Sequence, residues 1–335
     1  MDKVAVVILN YNGKNFLETF LPTVLQYSTS HTVIVADNAS TDDSVEFLEQ
    51  NFPTVRLIKM PTNTGFSQGY NIALKEVEAE YYVLLNSDVE VTAQWLDPLV
   101  TFMSEHPQVA ACQPKIKAYH QKTHFEYAGA AGGFIDRLGY PFCRGRIFDD
   151  TETDQGQYND TQEIFWATGA CMFVRASHYW QMEGLDNDFF AHMEEIDLCW
   201  RFKNAGYQVY YVGASEVYHV GGGTLHKSNP RKTFLNFRNN LVLLYKNLPA
   251  RKLWPTLWWR FWLDGIAWWR FLLIGQRKDA FAITKAYWQF YRSIGFWRKK
   301  RQKVKNFALH PQMFGQSLVF AYFLKKKKTF KDLRF

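Results

Sequence analysis

The apolar run Tyr81-Tyr82-Val83-Leu84-Leu85 stops abruptly at Asn86-Ser87-Asp88. Its length suits a central strand buried on both faces, with Asp88 just past the C-terminal end. Residues 4–9, 32–36 and 55–58 have the same form. Helical patterns separate them: 14–25, then a segment with a capping-box-like start at Ser40 and Asp43 that ends before Pro53, then 66–77. Short continuous apolar strands alternating with helices imply an α/β fold, a mostly parallel sheet with helices on both faces.

Open sheets of this kind bind ligands beyond the C-terminal ends of their strands. Three of the predicted strands carry polar tips there: Asn10-Tyr11-Asn12-Gly13, Asp37-Asn38-Ala39-Ser40 and Asn86-Ser87-Asp88. The Asp37 carboxylate suits a nucleobase N–H or a ribose hydroxyl. Asp88 suits a hard divalent cation that bridges protein to a diphosphate; the plainer reading is a capped turn. The stretch from Asn63 through Gly65 to Asn71 opens a helix at the same edge, where backbone amides and the helix dipole suit an anion. There is no G-x-G-x-x-G after the first strand and no G-K-[ST], so dinucleotide and P-loop readings lack their fingerprints.

Further along, Glu194-Glu195-Ile196-Asp197 opens a helix predicted over 194–204. Glu194 and Asp197 share a face and Glu195 points elsewhere. One carboxylate is a candidate general base and another an acceptor contact or an orienting group; stabilisation by the helix dipole is the alternative. His219 precedes Gly221-Gly222-Gly223-Thr224, which reads as a flexible loop, and an imidazole there suits Mn²⁺ or another transition metal. Residues 115–165 read as long loops near a substrate site, acidic and polar towards their end.

The four cysteines are widely spaced, without C-x-x-C, which argues against a zinc ribbon or a disulfide framework and favours a reducing compartment. Residues 4–9 are too short for the apolar core of a signal peptide. The net charge of +7 suggests an anionic partner, and much of the surplus is late, in Arg298-Lys299-Lys300-Arg301 and Lys325-Lys326-Lys327-Lys328.

Together these pieces resemble glycosyltransferase family 2, inverting enzymes with the GT-A nucleotide-diphospho-sugar fold, and its rhamnosyltransferase-like branch in particular. The resemblance covers about residues 3–245 and rests on Val7-Ile8-Leu9-Asn10-Tyr11-Asn12-Gly13, Asp37-Asn38-Ala39-Ser40 with Asp42, Asn63-Thr64-Gly65-Phe66 through Asn71, Asn86-Ser87-Asp88, Thr168-Gly169-Ala170, Glu194-Glu195-Ile196-Asp197-Leu198 and His219. It implies donor contacts from Asn10, Asn12, Asp37, Asn38, Asn63, Gly65, Asn71, Asn86 and Ser87. It implies acceptor contacts from Trp166, Gly169, Ala170 and Asp197. A divalent cation, Mg²⁺ or Mn²⁺, would be held by Asp88, with His219 completing its site. Asn86-Ser87-Asp88 stands where the family has D-x-D, with Asn replacing the first Asp. Glu194-Glu195 stands where the family has Glu-Asp, so the base would be Glu195, with Glu194 as alternate. The implied reaction moves a sugar from a nucleotide-diphosphate donor to a hydroxyl of a glycan or lipid-linked acceptor in cell-surface polysaccharide synthesis. The implied place is the cytoplasmic face of a bacterial cell membrane, peripherally bound.

Residues 246–335 form an aromatic, basic helical extension beyond a catalytic domain over 1–245. Six tryptophans fall within 254–275, among the interior charges Arg260, Asp264 and Arg270. Charges at the bilayer centre are costly. The segment therefore reads as a helix lying in the membrane interface, with Trp at headgroup depth and basic residues towards anionic lipid. A helix packed on the catalytic domain, a dimer contact and a true span are the alternatives. A nucleotidyltransferase would want a basic Gly-rich loop after the first strand, which Asn10-Tyr11-Asn12-Gly13 does not supply. A nucleic-acid-binding protein using the tail would leave the strand-end carboxylates without a role, so no nucleic-acid partner is expected. The oligomeric state is not legible.

Overall fold

The computed structural model describes residues 2–221 and 229–335; Gly222, Gly223 and Thr224 of the expected loop lie outside them. The first elements alternate as the patterning requires: β1 (Asp2–Asn10), α1 (Lys14–Tyr27), β2 (Thr32–Asp37), α2 (Ser44–Asn51), β3 (Arg56–Lys59), α3 (Gly65–Lys75) and β4 (Ala79–Asn86). β1 pairs in parallel with β2 and β4, and β2 with β3. The capping box at Ser40 and Asp43 does not form; Asp42 instead accepts from the Ser44 amide, at 3.1 Å, and from its hydroxyl.

The chain continues through β5 (Val89–Val91), α4 (Asp97–Glu105), β6 (Val109–Ala118), β7 (Gln121–Phe125), β8 (Gly133–Asp136), β9 (Pro141–Cys143), β10 (Arg146–Ile147), β11 (Asp150–Thr151), β12 (Thr161–Glu163), β13 (Cys171–Arg175), α5 (Ala176–Gln181), α6 (Glu194–Asn204) and β14 (Gln208–His219). The main sheet runs β12-β14-β6-β13-β4-β1-β2-β3. β13 is antiparallel to both β4 and β6, so the sheet is mixed. This insertion sets Cys171 beside Leu85, and the Asn86 amide donates to the Ala170 carbonyl at 2.9 Å. The turn before β13 is thus tied to the tip of β4.

The segment expected as long loops carries short strands among its loops, and four of them join a second sheet, β11-β10-β9-β8-β15, whose last strand (β15, Met313–Phe314) comes from the C-terminal tail. Buried Asp136 fixes that union by accepting from the amides of Leu138, Tyr140 and Leu318 at 2.9, 2.8 and 2.7 Å. Phe134, Phe142, Phe314, Phe330 and Phe335 form a cluster of ring contacts that links the small sheet to the C-terminal tail.

Four helices, α7 (Pro230–Asn247), α8 (Ala250–Leu273), α9 (Arg277–Arg292) and α10 (Ile294–Gln302), cover one side, and α11 (Phe330–Leu333) closes the chain. Position 245 falls inside α7, and one apolar core runs from Ala5 and Val7 through Leu244 and Leu257 to Leu333. α8 buries Leu253, Thr256, Leu257, Arg260, Leu263 and Asp264. Its central charges therefore face the protein, which corrects the expectation that basic residues of this face turn to lipid. The Arg260 guanidinium pairs with Asp264 at 3.1 Å, donates to the Leu138 carbonyl at 3.2 Å and to Asn240, and lies 4.1 Å from the centre of the Tyr140 ring. Asp264 accepts from the hydroxyls of Tyr140 and Tyr287 at 2.9 and 2.7 Å. Among the described residues, no helix is long and apolar enough to cross a membrane.

Candidate active site

Parallel register sets Asn10 at the end of β1 beside Asp37 at the end of β2. The Asn10 side-chain amide donates to Asp37 Oδ2 at 3.0 Å, and the Ser40 amide to Asp37 Oδ1 at 2.9 Å. Ser40 Oγ in turn accepts from the Asn12 backbone at 2.9 Å, while Asn12 Oδ1 accepts from the Thr41 amide at 2.7 Å. Asp37 is thus a buried carboxylate held in one orientation. Gly13 is required beside it, because a Cβ there would lie 2.4 Å from Asn10 Oδ1. That oxygen is buried without a hydrogen-bond partner among the described residues.

The neighbouring segment behaves differently from its reading in sequence. The amides of residues 64–67, expected to offer themselves to an anion, are taken up inside the protein. Thr64 N donates to Asn38 at 3.0 Å and Gly65 N to Asn63 at 2.9 Å, while Phe66 N and Ser67 N donate to the Phe190 carbonyl at 2.7 and 3.2 Å. Asn38 also donates to Asn63 and to the Gly65 carbonyl. Asn71 is likewise spent on the protein. It donates to Leu185 O and Asn187 and accepts from the Tyr179 hydroxyl and the Leu185 amide. With both side-chain N–H groups and the oxygen engaged, Asn71 ties α3 to the loop before α6.

The Asn86-Ser87-Asp88 tip meets the end of β14. His219 is the last residue of that strand, paired with β5 and β6 and buried, and not part of a loop. Its Nε2 lies 3.2 Å from Asp88 Oδ1 and 3.4 Å from Asn86 Nδ2; its Nδ1 lies 3.3 Å from Glu126 Oε2. Burial alone would lower the imidazole's pKa, yet the two carboxylates override it and raise it to about 10. For Asp88, burial works upwards, and the adjacent His219 charge prevails and holds the carboxyl below its ordinary value. One hard oxygen and one imidazole nitrogen facing the gap between Asp88 and His219 fit Mn²⁺ or Mg²⁺ as a partial set, the remaining positions falling to diphosphate oxygens and water. Glu126 stands on the far side of the ring. Among the described residues no three acidic, His or Cys side chains converge to hold a cation alone. Glu126 fits instead the carboxylate that orients a ligating histidine through its other nitrogen.

The second carboxylate cluster sits on strained backbone. Phe190, His192 and Met193 have φ of 66, 71 and 72°, left-handed values uncommon outside glycine. Such strain persists where surrounding contacts over-determine it. Here Asn239 of α7 donates to the carbonyls of Phe189, Ala191 and His192 at 3.0, 2.9 and 2.7 Å. The turn delivers Glu194 and Glu195 to the first turn of α6. Glu194 is buried, Glu195 is half-buried, and an oxygen of each lacks a partner among the described residues. Burial raises the Glu195 carboxyl to about 7, while the amides at the helix start pull the other way. Glu194 is raised further, by burial and then by the charge of Glu195. Gly169 packs against both this cluster and α3: a Cβ there would lie 3.2 Å from the Phe66 ring and 3.9 Å from Glu195 Cβ.

The structure thus gathers Asn10, Asn12 and Asp37 in one cluster, Asn86, Asp88 and His219 in a second, and Gly169 and Glu195 in a third, with the Asn86–Ala170 bond joining the last two. Two residues expected at the acceptor side are structural. Trp166 is buried, with its indole N–H on the Phe134 carbonyl at 2.8 Å. Asp197 is wholly buried between Lys246, at 2.9 Å, and Arg201, at 2.8 Å. Burial works to raise the Asp197 carboxyl, but those two cations hold it below its ordinary value. Sequence reasoning missed Glu126 and Asn239. No motif marks Glu126. Asn239-Asn240 inside a helix was a usable signal, since Asn disfavours helix interiors and competes for backbone groups.

Residues 5–182 match Glycosyl transferase family 2. An N-acetylglucosaminyl-diphospho-decaprenol L-rhamnosyltransferase of Mycobacterium tuberculosis is 26% identical over 234 residues, 65% of this chain and 76% of that one. Rhamnosyltransferase WbbL of Escherichia coli is 24% identical over 261 residues, 75% of this chain and 94% of its own. The fold is similar to that of GalNAc-T7 with UDP, GalNAc and Mn²⁺, with a TM-score of 0.57 at 14% identity over 75% of this chain and 49% of that one. It is also similar to that of S. aureus TarS 1-349 in complex with UDP-GlcNAc, with a TM-score of 0.55 at 15% identity over 87% of this chain and 81% of that one. The fold is that of the GT-A glycosyltransferases, and the chain belongs to glycosyltransferase family 2, on its rhamnosyltransferase-like branch.

Proposed function

We propose that the protein is an inverting, metal-dependent glycosyltransferase of cell-surface polysaccharide synthesis. It would take a sugar from a nucleotide-diphosphate donor to a hydroxyl of a lipid-linked glycan, working peripherally at the cytoplasmic face of the membrane. The observation that carries this reading is the half-buried Glu195 carboxylate, one oxygen without a partner among the described residues, raised to about 7 and set beside the turn that is tied to the Asp88 tip. Asp37 and Asn10 hold the nucleoside, and Asn12, Asn86 and Ser87 line the same strand-end edge. Asp88 and His219 would hold the cation, which when bound would neutralise charge on the departing diphosphate. Glu195 takes the proton of the acceptor hydroxyl as it attacks the anomeric carbon. Burial and then the charge of Glu195 favour the neutral form of Glu194 beside it. Gly169 lets the turn before β13 pack closely against Phe66 beside Glu195. Attack opposite the leaving group inverts the configuration and needs no covalent sugar–enzyme intermediate. The lipid-linked acceptor is argued from the decaprenol-linked substrate named for the M. tuberculosis relative.

A ligand that binds only the folded state stabilises it by mass action. A thermal-shift screen of nucleotide diphospho-sugars, with Mn²⁺, Mg²⁺ or EDTA, should give at least one donor whose stabilisation needs the cation and is lost in Asp88→Ala. Stabilisation by no donor, or one indifferent to EDTA, would overturn the reading.

A further inference from the structure

α8 is inverted relative to an ordinary surface helix. It buries Arg260 and Asp264 and exposes Trp254, Trp258, Trp262 and Trp269 at 55–61% of their surface. Past Asp264 it runs out towards the α8–α9 turn, held to α9 by the Trp268 indole N–H, which donates to Thr284 Oγ1 at 3.1 Å. From Gly265 to Lys278, across the end of α8 and into α9, no residue is buried. Yet eight of the nine residues from 266 to 274 are apolar, Arg270 being the exception. At the tip Leu273 and Phe281 are 84% and 66% exposed, and exposed Arg270, Arg277 and Lys278 surround them. Contiguous apolar surface of this kind marks an interaction site.

The charge pattern says what covers it. Residues 246–335 carry 21 Lys and Arg against three Asp and Glu, two of which, Asp264 and Asp279, are buried. With a whole-chain charge of +7, residues 1–245 carry −11. A second copy docking by two-fold symmetry would set this cationic tip against itself. An anionic bilayer surface complements it and repels the catalytic part.

Resting on the membrane-surface reading above, we propose that the α8–α9 hairpin tip is a monotopic wedge that enters an anionic leaflet. Leu273, Ile274 and Phe281 are the inserted residues, Arg270, Arg277 and Lys278 the headgroup collar, and the outer Trp residues of α8 lie along the interface. Because α8 is locked to the small sheet through Arg260 and Asp264, and α7 carries Asn239 to the Glu195 turn, docking fixes the height of the site above the lipid.

The test uses the full chain and vesicles with no sugar substrate, so its outcome is independent of the transfer chemistry. Wild type should bind vesicles containing anionic phosphatidylglycerol, bind pure phosphatidylcholine weakly, and have its Trp fluorescence quenched by brominated acyl chains. Leu273→Glu/Ile274→Glu should lower partitioning by tenfold or more, given the apolar burial lost. Arg270→Gln/Arg277→Gln/Lys278→Gln should remove the anionic preference and its salt sensitivity. Both variants should keep the wild-type Tm and donor-induced thermal shift. Wild-type partitioning by the tip variant would overturn the proposal. So would a wild-type dimer in sedimentation that the tip variant dissolves without any loss of vesicle binding.

Discussion

The Asn239 side chain donates to the His192 carbonyl at 2.7 Å, joining helix α7 to the left-handed turn that presents Glu195. Two further carbonyls, of Phe189 and Ala191, lie within 3.0 Å of the same nitrogen. Its two N–H groups are thus shared among three acceptors. Asn239→Ala should cost about 1–3 kcal/mol of stability through the carbonyls left unpaired. A displacement of about 1 Å at the base should lower kcat roughly 10²-fold with donor KM little changed. Asn239→Asp, nearly isosteric but without a donor, should be at least as damaging as Ala. Steady-state kinetics and urea melts on both variants check this.

Glu195 gives the pH dependence its sign. Its carboxyl is raised to about 7 by burial, and the base must be ionised. Transfer should therefore climb as pH rises through about 7 and then level off. Stability runs the other way: a carboxyl raised in the folded state is favourable while protonated, and that contribution is lost as pH rises from the unfolded value through about 7. Glu195→Gln should accordingly melt higher than wild type at pH 8, by on the order of 1–3 kcal/mol, and converge with it near pH 4. Calorimetry across that range checks the crossing.

Glu126 faces His219 Nδ1 at 3.3 Å, on the side opposite Asp88. Glu126→Gln should raise the Mn²⁺ concentration for half-maximal activity about 10–100-fold. Saturating metal should restore most of kcat, because the variant keeps both proposed ligands. A kcat loss that metal does not rescue would assign Glu126 another role.

The Arg260–Asp264 pair is buried at both partners. Asp264→Ala would strand a guanidinium in the core at a cost of about 3–5 kcal/mol, whereas an apolar replacement of both partners should cost far less. Chemical denaturation of the single and double variants distinguishes them. Loss of vesicle binding by the single variant alone would follow from a loosened α8.

The alternation of strands and helices was legible because burial on both faces leaves continuous apolar runs, and the helix at roughly Glu194 to Asn204 was legible from its period and acidic start. The direction of β13 was not, since a short apolar run looks alike either way round. Residues 115–165 read as loops because strands of two to five residues with glycines between them carry little period, and their pairing partner at Met313–Phe314 lies far along the chain. At the site, Asp37, Asp88 and Glu195 were visible as charged residues at predicted element ends. Asn71, Trp166 and Asp197 lay in the same motifs yet serve as braces, a distinction set by partners distant in sequence such as Leu185, Phe134 and Lys246. The inversion of α8 was half visible. The charged and Trp faces could be separated on a helical projection, but which face met the protein depended on Tyr140, Asn240 and Tyr287.

The most direct test of the account compares wild type with Glu195→Gln in transfer from the donor identified by thermal shift, with donor affinity measured on the same preparations. The account predicts unchanged cation-dependent donor binding and a fall in turnover of about 10²–10⁴. Turnover by Glu195→Gln within a few-fold of wild type would contradict it.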